Sequence, residues 1–197
     1  MVRMLLGLLI VLGTHSLRLL ADDWRSRMIT RLGRPLWLTL FSLVSVVGLV
    51  LVVWGFAQAR EQPVVLWQPL PWLRPVALSL TALSFVLLAA ALVPANHLKH
   101  RLHHPMLLAT KTWALSHLLL NGMVAHAILF GSLLVWSVLA YRAARQRDRL
   151  HGANMAPPHR LAPLASLFTV ALGLSAWWLV ANLLHGWLIG IKPLTGP

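Results

Sequence analysis

No charged residue occurs between Pro35 and Arg60. At ~1.5 Å of rise per residue, a helix of that length crosses a hydrocarbon core of about 30 Å, and no water-facing domain tolerates so long an apolar helix on its surface. Similar runs cover Pro75–Val93, Thr112–Ala140 and Leu164–Ile191. A shorter segment, Met4–Leu20, is interrupted by His15 and Arg18. It follows Arg3 as the core of a signal peptide would, but no small-residue cleavage site follows it. Ala21-Asp22-Asp23-Trp24 reads instead as a membrane interface. The sequence therefore predicts an all-α integral membrane bundle of five transmembrane helices in one domain, residues 1–197, with spans at about 4–20, 36–58, 75–93, 112–140 and 164–191.

Composition agrees with this reading. Charged residues are 11% of the chain and the mean hydropathy is +0.74, whereas a soluble domain carries about 25% charged residues. The absence of cysteine excludes disulfides, thiolate-bound zinc, iron–sulfur clusters and a cysteine nucleophile. Only Asp22, Asp23, Glu61 and Asp148 are acidic, which leaves little for paired-carboxylate catalysis or a calcium site. The formal charge of +13 points to anionic lipid headgroups, not to nucleic acid.

The connecting segments are short. Residues 21–35 and 141–163 are rich in Arg, the latter with a Pro157-Pro158 break; residues 59–74 hold three Pro and two Trp, and 94–111 are basic and rich in His. Five spans put the N-terminus, 59–74 and 141–163 on one side, and 21–35, 94–111 and the C-terminus on the other. Lys and Arg then number eight and nine on the two sides, so the distribution of positive charge selects no orientation.

Ten histidines are the chemistry-bearing feature, because ionisable groups inside spans mark functional sites. With those spans, His15, His117 and His185 fall toward the same side as His97, His100, His103 and His104. His126 falls mid-membrane, and His151 and His159 lie on the other side. Trp113, His117 and Asn121 share a helical face, as do Trp178, Asn182 and His185. Neutral imidazoles at one depth on opposed helices can hold a haem iron axially, with Arg18 or Lys111 pairing a propionate. They can equally hold a bare metal ion, or act as interhelical hydrogen-bonding groups without any cofactor. The His97-x-x-His100-x-x-His103-His104 run is either a metal-binding array or a basic segment against lipid phosphates; the interleaved Lys99 and Arg101 and the following Pro105 favour the latter.

His15-Ser16-Leu17-Arg18, the block Asn96 to Leu107 (NHLKHRLHHPML) and the block Lys111 to Gly122 (KTWALSHLLLNG) resemble signatures of the NnrU family over nearly the whole chain. The resemblance implies a bacterial inner-membrane protein acting in nitrite and nitric oxide metabolism of denitrifiers, as a sensor or accessory factor. The same domain is similar to zeta-carotene isomerase, a haem b enzyme acting on a cis double bond of a polyene. From that similarity His15 and His117 would be the axial ligands; Asn121 and His104 are expected as supporting groups, and His185, at the same depth, as a rival ligand. The isomerase has a Cys where this chain has Ala114, which argues against a ligand swap through sulfur. His104-Pro105 also resembles part of the Arg-His-Pro motif of isoprenylcysteine methyltransferases, but residue 103 is His and no downstream Glu completes the pattern. Three functions are thus expected in competition: a haem b protein that meets nitric oxide, a haem-dependent polyene isomerase, and a structural membrane subunit without cofactor.

Overall fold

A computed structural model describes residues 1–151, 160 and 162–194. The Pro157-Pro158 break and His159 lie outside the described residues. The described chain is helical: α1 (Val2–Leu20), α2 (Asp22–Leu32), α3 (Arg34–Glu61), α4 (Leu73–Leu92), α5 (His97–Leu102), α6 (Pro105–Leu120), α7 (Val124–His151), α8 (Ala162–Leu179), a π-helical turn (Val180–Leu184) and α9 (His185–Ile189). Five helices are long and apolar enough to cross a membrane: α1, α3, α4, α7 as far as Leu150, and α8 continued through α9. Their outward faces carry bare hydrocarbon. Val53 and Leu167 are 62% and 69% exposed, an arrangement that lipid stabilises and water does not.

One boundary differs from expectation in kind. The apolar run 112–140 is not one helix, because Asn121 leaves α6 with extended backbone (φ −133°, ψ 105°) and α7 begins only at Val124. The break is stable because other backbone completes its hydrogen bonds. Leu66 N and Trp67 N donate to Gly122 O at 2.7 and 3.2 Å, and Val124 N donates to Val64 O at 2.9 Å. Val65 and Met123 form an antiparallel bridge. Gly122 is required there, since a Cβ would overlap the Trp67 carbonyl.

The contacts divide the chain into two compact units, Met1–Gln68 with Gly122–Trp136, and Pro69–Asn121 with Ser137–Pro197. In the first, α1 and α3 lie antiparallel and very close because glycines remove side chains from the seam. A Cβ on Gly7 would sit 2.5 Å from Val52 N and 2.6 Å from Gly48 O. Small residues at such seams let membrane helices gain van der Waals contact where no hydrophobic force drives association. At one end of the pair, Arg3 donates to Gln58 Oε1 at 2.6 Å and stacks over Trp54. At the other, α2 starts with Asp22 and Asp23 against its positive dipole end and carries Arg25, Arg27 and Arg31.

The second unit is built on α4. Ser84 Oγ donates to Ala109 O of α6 at 2.8 Å, and Trp177 Nε1 of α8 donates to Thr81 Oγ1 at 2.9 Å. Gly173 of α8 meets the α4 backbone at Val86. Both α6 and α8 run antiparallel to α4. Asn96, 2% exposed, fixes the turn after α4: its amide donates to Ala90 O and Val93 O, and its Oδ1 caps α5 by accepting from Lys99 N at 2.7 Å.

Two substitutions test these close approaches. Gly7→Ala should cost about 1–3 kcal/mol and lower the thermal midpoint in detergent, because the atoms in the way are backbone. Gly13→Ala, with nothing within 4 Å, should be neutral or slightly stabilising. Gly122→Ala should release the 62–68 loop, read as faster hydrogen exchange at Leu66 and Trp67 by about fivefold if one net hydrogen bond of ~1 kcal/mol is lost.

Candidate functional site

Helix geometry first determines which way each imidazole presents its nitrogens. In the first unit, His15 sits on α1 with Nδ1 2.8 Å from Val11 O. A carbonyl only accepts, so Nδ1 carries the proton and Nε2 keeps the lone pair. The ring stands edge-on to Phe41 at 5.0 Å and to Trp136 at 6.1 Å between centroids. Trp136 is held in turn by its Nε1–H bond to Ser16 Oγ at 3.1 Å. Arg18 follows on the last turn of α1 and is exposed.

In the second unit, His117 repeats that local arrangement. Its Nδ1 lies 2.9 Å from Trp113 O, and its ring packs on Trp113 at 4.6 Å. Asn121 Nδ2 donates to His117 O at 2.8 Å, so the expected Trp113–His117–Asn121 face is a chain of contacts that closes the end of α6. Lys111, two turns earlier, has its ammonium 5.8 Å over the Tyr141 ring. Ala114 is fully buried. His185 follows the π turn and donates from Nδ1 to Ile191 O at 2.7 Å.

His104 differs. Its Nε2 faces Asp148 Oδ2 at 3.0 Å, so here Nε2 is the protonated nitrogen. The same carboxylate oxygen takes Arg145 Nη1 at 3.3 Å and faces His103 Nδ1 at 3.5 Å. His103 adopts φ +62° to leave α5, which ends the helical spacing of the His97–His104 run. Among the described residues no group of three or more His, Asp or Glu is placed to hold a metal ion.

These placements correct the depths expected from an unbroken 112–140 helix. His117 is in the last turn of α6, not near the start of its helix, and stands about 20 Å along the axis from His104. His185 also lies away from the His97–His104 end. The N–H of His97 donates to Ser166 Oγ near the start of α8, whereas Arg74 at the start of α4 donates to Pro193 O beyond α9. His126 is in the first turn of α7 and not mid-membrane; it is buried between Phe56 and Phe130, with Nδ1 unpartnered. Nor do residues 94–111 and 141–151 lie at opposite ends, since His104 touches Asp148. Sequence reasoning missed that carboxylate, although one acid among four arginines over 142–149 is a legible signal. It also missed the Phe41 and Trp136 walls of His15, which no local pattern announces.

Comparison with known proteins agrees with the motifs from which these side chains come. Searches of curated proteins and of solved structures each gave no match. A family model described as "NnrU protein" matches residues 3–193, nearly the whole chain. The chain is a polytopic membrane protein and belongs to the NnrU family.

Proposed function

We propose that this chain binds haem b in a bacterial inner membrane, with His15 or His117 as an axial ligand, and serves nitrite and nitric oxide metabolism as a sensor or accessory factor. The observation that supports this most is the shared imidazole geometry. At both residues Nδ1–H is bonded to the carbonyl four positions earlier, at 2.8 and 2.9 Å. That bond fixes the tautomer and the ring orientation and makes Nε2 the nitrogen with the lone pair, which is how proteins prepare a histidine to ligate a metal. The residues around them fit an apolar macrocycle. His15 is walled by Phe41 and Trp136, and His117 by Trp113.

Haem, when bound, would supply an open-shell iron centre able to take up nitric oxide. The chain's own residues would do the rest. Arg18 and Lys111 offer the cations that propionates pair with. Asn121 positions His117 by holding its carbonyl. His104 is committed to Asp148 and is not assigned to the haem. Ala114 offers no sulfur, so iron ligation would not pass to a thiolate.

The test is the dithionite-reduced minus oxidised visible spectrum of detergent-purified protein from haem-replete cells, repeated with nitric oxide. A b-type signal near one haem per chain is expected, shifted by nitric oxide. One of His15→Ala and His117→Ala should weaken haem retention by about tenfold or more, while His185→Ala retains the signal. A haem-free wild-type protein, or loss confined to His185→Ala, would overturn the assignment.

A further inference from the structure

The contacts inside each unit fix the direction in which α7 runs. In the first, Met123 pairs with Val65, just beyond the end of α3, and the His126 ring meets Phe56 on the last turns of α3. Ten residues further on, Trp136 donates to Ser16, close to the end of α1. Helix α7 therefore starts where α3 ends and runs in the direction of α1. In the second unit, Lys111 faces Tyr141 and His104 meets Asp148, so α7 ends where α6 begins. Each unit independently gives the same direction.

We infer that α6 is a further crossing beside the five long helices, that the two ends of the chain lie on one face of the membrane, and that the opposite face, bearing α2, α5 and the end of α7, is cytoplasmic. The 16 residues of α6 extend about 24 Å, and the extended stretch at 121–123 adds roughly 10 Å, enough for a hydrocarbon core of about 30 Å. Non-helical backbone at that depth is tolerated only where protein satisfies it, and the Val64–Trp67 backbone does so. The Arg74 to Pro193 bond at 2.9 Å returns the chain beyond α9 to the start of α4, the face this path requires.

Charge then selects the orientation. Alternation along the chain leaves Arg3, Arg60, Arg74 and Lys192 on the face with the termini and the other thirteen of the seventeen Lys and Arg on the opposite face. Short loops so enriched in Lys and Arg stay on the cytoplasmic side, where the leaflet is anionic. The near-equal distribution that five crossings would give is thus replaced by a strong bias. The His103–His104–Asp148 cluster accordingly faces the cytoplasm.

Because the chain has no cysteine, single-cysteine variants report their own position. Gln62→Cys, Ser26→Cys and Gln146→Cys are all at exposed positions. A membrane-impermeant maleimide would be applied to right-side-out and inside-out vesicles, with labelling in SDS as the full signal. Gln62→Cys should label in right-side-out vesicles only, and Ser26→Cys and Gln146→Cys in inside-out vesicles only. Labelling of Gln62→Cys and Gln146→Cys from the same face would overturn the α6 crossing. A fully inverted pattern, or equal labelling from both faces, would overturn the orientation.

Discussion

A lipid interior offers no hydrogen bonds, so a helix broken inside an apolar run must find partners for its freed backbone groups elsewhere in the protein. The interruption at Asn121–Met123 finds them in the backbone of Val64–Trp67. Three hydrogen bonds and a glycine that admits the Trp67 carbonyl hold the chain there. This small repair decides which way α7 runs. It therefore decides that Trp136 reaches Ser16 beside His15.

The same scarcity of partners explains the histidines. With no water to bond, an imidazole on a membrane helix turns one nitrogen onto the carbonyl a turn earlier, and the other becomes the only lone pair it can offer. His15 and His117 are both in this state. His104 is not, because a carboxylate is within reach of its Nε2. The distinction separates imidazoles bonded to their own helix from one engaged in an ionic cluster at a helix end. The NnrU family match covers all of them.

Much of the fold could be read from the sequence, for a physical reason. The uncharged stretch from Leu36 to Ala59 has no folded alternative to a membrane helix, and α3 is the result. The Trp113–His117–Asn121 face was also legible, since four-residue spacing alone brings those groups together. The break after Leu120 was not. Asn-Gly within an apolar run is compatible with an uninterrupted helix, and the strand that repairs it lies more than fifty residues earlier. From that one error followed the shifted depths of His117, His126 and His185. Asp148 escaped notice because its partners His103 and His104 come from a segment that only tertiary structure brings to it.

The chain turns at Met123 against the loop after α3. A disulfide between Val65→Cys and Met123→Cys tests it most directly, in a chain with no other cysteine. Residues opposite one another in an antiparallel bridge have Cα atoms about 4.5–5.5 Å apart, within the range a disulfide spans. Mild oxidation in the membrane should cross-link the double variant within one chain, and neither single variant. A double variant whose two thiols remain free would contradict the account, because it would return residue 123 to the middle of an unbroken helix.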